Sequence, residues 1–441
     1  MSLRAISPLD GRYARTVAEL ADHVSEWALI RARVRVEVEW LLVLAPQLDA
    51  APLRALVERF SDDDAEAVKA IERRTNHDVK AVEYFLRDRV PGEVRELLHF
   101  GLTSEDVNNL SYALMLRDAI GEVWRPAACE LVEGVASLAQ ATRGTPLLSR
   151  THGQPATPTT FGKEMAVFVG RWRRQLEQLS RQEYRGKLNG AVGTYGALVV
   201  ARPEVDWEDA SRRFVESLGL TWAPLTTQIE PHDWIAELFH LLARFNAILV
   251  DFDRDLWSYI SRGLVRQRPV AGEVGSSTMP HKVNPIDFEN SEANAGVGSA
   301  LALHMAQTLP VSRLQRDLSD SSLLRNSGGV VGHSLLALRS ALRGLAKIEL
   351  DEAALAAELD EAWEVLAEAV QTIMRKRGGD DPYEQLKALT RGTGIDRDRL
   401  RAFVETADID EEDRRRLLAL SPAQYTGLAE RLVDRISGGA A

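Results

Sequence analysis

Cysteine is nearly absent: Cys129 is the only one in 441 residues. No intrachain disulfide can form, which fits a reducing compartment and sets the expectation of a cytoplasmic protein. No apolar run approaches the ~20 residues that a membrane helix requires, so no membrane partner is expected. The first eight residues, Met1 to Pro8, lack the apolar core of a secretory leader. Basic charge is not in excess, since 54 Lys+Arg face 65 Asp+Glu for a net charge of -11. A sequence pI near 5.5 lacks the global footprint of a nucleic-acid binder. Strand-like alternation is also scarce. At 45% hydrophobic residues the chain can still build a sizeable core.

What is present is helix. Ile235, Leu238, Leu242, Phe245, Leu249, Phe252, Leu256 and Tyr259 recur every three or four residues. That spacing predicts one helical face over Asp233 to Arg262, between Pro231 and Gly263. A rod of about 30 residues spans ~45 Å, well beyond the mean helix of about 11–12 residues. Such a length suits a bundle shared between subunits. Leu110 to Gln140 reads the same way, with Pro126 marking a kink or break. Phe161 to Tyr184 carries a further apolar stripe. Phe288 to Leu309 is rich in Ala, Gly and Ser, which lets helices approach closely. The class expected is all-α, in three helical domains with long central helices: 1–95, 96–346 and 347–441. Val265 to Pro285, with three prolines and a Gly/Ser run, reads as a long mobile loop.

The most informative string is Gly275-Ser276-Ser277-Thr278-Met279-Pro280-His281-Lys282-Val283-Asn284-Pro285. Its hydroxyls, one cation and one amide can grip a carboxylate and cover a site. The competing reading is a solvated linker, against which Pro280 and Pro285 stiffen the segment. Thr103-Ser104-Glu105-Asp106 precedes a periodic segment and makes an N-cap. A helix N-terminus also attracts anions, so cap and ligand roles are compatible. No metal-ligand spacing, P-loop or G-x-G-x-x-G fingerprint occurs, so neither metal nor cofactor is indicated. Isolated arginines are usually surface ion pairs. Arg313, Arg316 and Arg325 lie in one short segment, which favours a shared role.

The string GSSTMPHKVNP resembles the signature of the fumarase/aspartase superfamily, lyases that release fumarate from succinyl-type substrates. Thr103 to Asn109 and Thr151-His152-Gly153-Gln154-Pro155-Ala156-Thr157 match two further segments of that superfamily, in the expected order. Arg73 to Tyr84, Ser7-Pro8-Leu9-Asp10-Gly11-Arg12-Tyr13 and Thr227-Gln228-Ile229-Glu230-Pro231-His232-Asp233 resemble the adenylosuccinate lyase family. The run MPHKVNPIDFEN is similar to a bacterial branch, with His281 where many members carry Tyr. The resemblance covers nearly the whole chain and is weakest after about Lys347.

The resemblance implies β-elimination of fumarate from adenylosuccinate, giving AMP, and from the succinyl-carboxamide ribonucleotide SAICAR, giving AICAR. It implies His152 as the acid that protonates the departing nitrogen, and Glu289 as the carboxylate that orients it. A free imidazole titrates near 6.5, and a neighbouring carboxylate raises it. Ser276 matches the family's base. An alcohol is barely ionised at neutral pH and needs activation, for which Lys282 is a helper. From the residues alone a histidine base is the better chemical choice, with Ser276 only binding. Lys282 and Asn284, with Thr103 and Ser104, are expected at the substrate's carboxylates, and Ser277 is expected to bind substrate. Arg12, Tyr13, Arg316, Ser321 and Arg325 match nucleotide and phosphate positions, and Asn76, His77 and Asp78 a further binding segment. Gln228 and Asn290 match amide contacts. His281, His232 and His99 have weaker claims.

The family also implies a homotetramer with sites shared between subunits, acting on a small nucleotide. Two other readings stand beside this one. One is a sister lyase for argininosuccinate, fumarate/malate or aspartate, disfavoured by Asn76-His77-Asp78 and TQIEPHD. The other is a catalytically silent helical assembly protein, disfavoured by the presence of His152, Ser276, Lys282 and Glu289. The charge refines the picture. Glu349–Glu368 and Glu405–Asp413 carry eight and six acidic residues and no basic ones, so the remainder sums to +3. A small polyanion is therefore compatible with an acidic chain.

Overall fold

The computed structural model describes residues 3–269, 278–279, 282–378, 381–390 and 395–437. Ser276, Ser277 and His281 lie outside the described residues. Helices dominate, as expected. Those that matter for function are α1 (Glu26–Leu44), α2 (Asp62–Thr75), α3 (Asp78–Arg87), α4 (Ser104–Asp118), α5 (Arg125–Ala141), α6 (Phe161–Leu179), α7 (Asp233–Ser261), α8 (Ile286–Thr308), α9 (Ser319–Leu324), α10 (Ser327–Leu345) and α11 (Ala367–Arg377). The described strands are two or three residues long. They include β1 (Arg150–Thr151), β2 (Gln154–Pro155), β3 (Val265–Gln267) and β4 (Ile348–Leu350).

The 29-residue α7 follows its apolar period. Leu238, Leu242, Phe245, Leu249, Phe252 and Leu256 have no exposed surface. Its end is set by Gly263, whose φ of +75° favours a residue without a Cβ. The expected Leu110–Gln140 helix differs in detail. It begins earlier, at Ser104, and Ala119–Trp124 widens into a π-turn. Pro126 is the second residue of α5, just past that turn, so the disruption lies before the proline rather than at it. The stripe of small residues in α8 does permit close approach. A Cβ on Gly298 would stand 3.2 Å from the Ser334 backbone nitrogen of α10. The segment predicted as a loop from Val265 starts as a strand. β3 pairs antiparallel with β4, Val265 opposite Leu350 and Gln267 opposite Ile348, which satisfies backbone groups that a loop would leave to water.

Packing divides the chain into two compact units. The first comprises Met1–Ala128, Gln175–Val250 and Asn290–Ser340, the second Cys129–Arg174, Asp251–Glu289 and Ala341–Ala441. Every passage of the chain from one to the other falls inside a helix. In the first unit, Ile30, Val34, Val38 and Leu41 of α1 join Val68 of α2 and Val82 and Phe85 of α3 in one core. Trp124 meets Phe245 edge-on at 5.0 Å. In the second unit, Phe252 sits among Phe168, Trp172 and Phe288 at 5.4–6.3 Å between ring centroids. A further core there gathers Val370 and Met374 of α11 with Leu400, Val404 and Leu417.

Candidate active site

His152 stands at the tip of the β1–β2 hairpin in the second unit. Thr151 pairs with Gln154, so His152 and Gly153 form a two-residue loop. Their φ angles are +54° and +77°, both positive, as a type I′ turn requires. A histidine with positive φ is uncommon, and such backbone marks functional positions more often than average. The Arg150 guanidinium donates to the Gly153 carbonyl at 3.1 Å and braces the turn. The imidazole itself is exposed. Glu289, also exposed, accepts a hydrogen bond from Trp257 Nε1 at 3.2 Å. Among the described residues, no ion pair joins Glu289 to His152 within one chain. The start of α8 that carries Glu289 is anchored through Asp287, which accepts from Arg343 at 3.1 Å and Lys347 at 2.9 Å. Lys282 is exposed, with its N–H on the Met279 carbonyl, and Asn284 is half-buried.

The first unit gathers the remaining candidates. Thr103 is the N-cap of α4, as predicted, and its N–H donates to Asp106 Oδ2 at 2.8 Å. Asp106 is fully buried and pairs with Lys187 Nζ at 2.8 Å. It also accepts the Asn189 N–H at 3.0 Å. These bonds fix the helix end that presents Thr103 and Ser104.

Asn76, His77 and Asp78 join α2 to α3. Asn76 takes a left-handed conformation, φ +51°, and stops α2. The His77 Nδ1 accepts the Lys80 N–H at 3.2 Å and caps α3, so in its neutral form the proton sits on Nε2. Asp78 is bracketed by Arg33 at 2.7 Å and Arg325 at 2.8 Å. Burial would raise its carboxyl, but the charge and hydrogen bond of Arg33, the Val79 N–H and Arg325 outweigh it and hold it at about 2. Arg325 thereby reaches a groove of about 730 Å³ lined also by Ser7, Asp10, Arg15 and Asn326.

Gln228 and Arg316 meet directly: the guanidinium donates to Gln228 Oε1 at 3.3 Å. Gln228 Nε2 is held by the Ala191 carbonyl at 2.8 Å. Arg316 also contacts Glu105 at 3.3 Å and Asp320 at 3.6 Å, and Asp320 caps the Ser321 N–H at 2.7 Å. Tyr13 donates through its hydroxyl to Asn290 Oδ1 at 3.1 Å. The Asn290 amide nitrogen donates to Ser340 at 2.7 Å, so this amide is engaged within the chain. Arg12 is exposed beside the Tyr13 ring.

Sequence reasoning did not single out Arg33, Glu105, Asp106, Lys187 or Asp320. Nothing local distinguishes Arg33 or Lys187, whose partners Asp78 and Asp106 lie far away in the sequence. Glu105 and Asp106 lay inside a named motif and read there only as helix-cap residues. His99, given a weak claim, forms a 2.6 Å contact with the fully buried Glu37. Burial alone would lower its pKa, yet Glu37 raises it.

Comparison with known proteins identifies the family. A family described as lyase matches residues 11–297, and one described as adenylosuccinate lyase C-terminal matches residues 312–426. The second match carries the likeness well past Lys347, where sequence motifs had faded. The chain is 52% identical to the adenylosuccinate lyase of Escherichia coli (strain K12), over 99% of both chains. It is 50% identical to that of Haemophilus influenzae over the same shares. In fold it is similar to a fumarate lyase from Mesorhizobium sp. BNC1, with TM-score 0.79, 23% identity and 96% and 98% of the two chains covered. A 3-carboxy-cis,cis-muconate lactonizing enzyme from Pseudomonas putida gives TM-score 0.75 at 23% identity, covering 95% and 96%. Identity of this level along the whole length, with the motifs in their order, means that the chain belongs to the adenylosuccinate lyase family of the fumarase/aspartase superfamily.

Proposed function

We propose that the chain eliminates fumarate from adenylosuccinate, giving AMP, and from SAICAR, giving AICAR, in purine nucleotide biosynthesis. The observation that carries this reading is the set of anion-recognising groups gathered in the first unit of a member of this family. Thr103 and Ser104 at a helix N-terminus, Gln228, Arg316 and Ser321 surround one buried cluster. Arg325 stands on a neighbouring groove. A substrate with two carboxylates and a phosphate needs such groups.

In this mechanism Ser276 removes a proton from the carbon next to a carboxylate. Lys282, Asn284, Thr103 and Ser104 stabilise the charge that spreads into that carboxylate. The C–N bond then breaks, and His152 protonates the departing nitrogen. The elimination is redox-neutral and calls for no cofactor. Lys282 also lowers the cost of ionising Ser276 in a closed, dry site.

His152 and Glu289 are both exposed, and within one chain Glu289 is bonded to Trp257 rather than to the histidine. We assign their pairing to a contact between chains of a homotetramer whose sites take segments from different subunits. Val297 and Leu303 of α8, Val167 of α6 and Trp257 of α7 are 41–46% exposed, which supports self-association along the long helices. Among the described residues no helix is long and apolar enough to cross a membrane. A single cysteine and a reaction on soluble nucleotides support our reading of a cytoplasmic enzyme.

The test is incubation of purified protein with adenylosuccinate while the purine absorbance is followed. Turnover supports the reading. Turnover of argininosuccinate instead indicates a sister lyase, and no turnover of either indicates a silent assembly protein.

A further inference from the structure

Beneath Arg316 lies a buried cluster that no step of the mechanism uses. His232 is 2% exposed, Glu105 1% and Asp320 5%. One ligating atom from each lies within 4.8 Å of the others. His232 Nε2 stands 3.7 Å from Asp320 Oδ2, and its Nδ1 stands 3.7 Å from Glu230 Oε2. Glu105 Oε1, His232 Nε2, Asp320 Oδ2 and Arg316 Nε all lack a hydrogen-bond partner among the described residues. The His232–Asp320 contact, at 3.7 Å, is longer than an ordinary hydrogen bond. His232 also has a φ of +64°, a conformation a histidine seldom takes.

The members come from three separate segments, and each borders a proposed substrate contact. Glu105 follows Ser104, Asp320 precedes Ser321, and His232 follows Gln228 by four residues. Arg316 bridges them, touching Glu105, Asp320 and Gln228. Charge sets the constraint. Glu105 and Asp320 each face both Arg316 and His232, and Glu230 faces His232. Lys187 also faces Glu105 but is bound to Asp106 at 2.8 Å, and Arg185 and Asp233 face Glu230. If His232 were neutral, Arg316 would be the one cation in contact with Glu105 and Asp320 among the described residues, and its guanidinium would be drawn inward.

We propose that His232 and Glu105 are positioning residues: His232, as an imidazolium among Glu105, Glu230 and Asp320, takes up carboxylate charge and so leaves Arg316, braced by Gln228, able to face the anionic substrate. This rests on the site assignment above. The remaining excess carboxylate charge is met by a proton on Glu105. Burial pushes that carboxyl up to about 7, against the pull of His232 and Arg316. Burial would lower His232, but Asp320, Glu105 and Glu230 together raise it. A divalent cation is the other way to fill such a cluster. Arg316, already in contact with two of the three acidic groups, disfavours it.

The ionisation of Glu105 then works as a control on binding. Above its pKa, Glu105 competes with substrate for Arg316, so KM rises as pH passes through about 7. The experiment measures kcat and KM for adenylosuccinate with the purified full-length protein between about pH 6 and 8.5. Glu105→Gln should remove the inflection in KM while leaving its low-pH value. His232→Gln should raise KM about tenfold with kcat changed less than about threefold. Adding Asp320→Asn to His232→Gln should recover most of that loss, because it removes the uncompensated charge.

A lower Tm with KM and its pH profile unchanged would show a merely structural role and overturn the proposal. If His232→Gln does not fold, Glu105→Gln decides, and an inflection that persists in it overturns the proposal equally. A stoichiometric divalent metal in the wild-type protein, lost in Glu105→Gln, also overturns it. Wild-type protein that fails to turn over adenylosuccinate sinks the functional reading itself. Normal wild-type turnover with unresponsive variants sinks only this inference.

Discussion

Lys187 Nζ lies 2.8 Å from Asp106 Oδ1, and neither side chain has any exposed surface. The pair ties the N-terminus of α4 to the segment around Asn189 and Gly190, whose N–H groups also point at Asp106. Removing one partner strands a buried charge. Lys187→Met should therefore lower unfolding stability by about 3–5 kcal/mol, measured by urea denaturation. The double variant Asp106→Asn, Lys187→Met should recover part of this. Equal losses in the single and double variants would contradict the pairing.

Asp78 offers a test in acid. Its folded carboxyl sits at about 2, below its ordinary value of 3.8. A depressed carboxylate contributes stability that is complete above the unfolded value and is lost as pH falls toward the folded one. Asp78→Asn should destabilise the protein by roughly 1–2 kcal/mol at pH 5, after allowance for solvent screening. Wild type and variant should converge near pH 2. A gap of constant size down to that pH would show that the Arg33 and Arg325 contacts do not depend on the carboxylate charge.

Ser276→Ala and His152→Ala should each lower kcat by at least about 100-fold, since each removes a group proposed to move a proton. Equilibrium binding of substrate should persist in both. Near-wild-type kcat in either variant would remove that residue from its role.

Gly153→Ala tests the hairpin that presents His152. Its φ of +77° is unfavourable for alanine, although no atom of the described residues lies within 4 Å of the added Cβ. The strain is about 1–2 kcal/mol, and its effect should appear as reduced kcat with substrate affinity retained. Unchanged kcat would mean that the turn geometry does not set the position of the imidazole.

Sharing of sites between chains predicts complementation. Ser276→Ala and His152→Ala proteins, each inactive alone, should regain partial activity once their subunits exchange. Continued inactivity after exchange is verified by mass or labelling would count against composite sites.

Much of the fold was legible because it is periodic. The buried face of α7 is the spacing of Leu238, Leu242, Phe245 and Leu249 expressed in space. Boundaries were less legible. Pro126 looked like a break, but the ladder had already widened at Ala119–Trp124. Val265–Gln267 looked like loop because its partner strand lies more than eighty residues away. The named site residues that could be placed divided between the two units, and His152 did not meet Glu289 within one chain.

The amino-acid sequence by itself determined the family and the helical class, and it nominated the residues proposed to carry the chemistry. Those properties reside in short strings and local spacing, which survive without any knowledge of contacts. Only the tertiary structure decided which charges are buried and what they face. Glu105, Lys187, Arg33 and Asp320 are ordinary charged residues in the sequence. Removal from water and opposite charges within about 4 Å turn them into determinants of where Thr103, Arg316 and Asp78 stand.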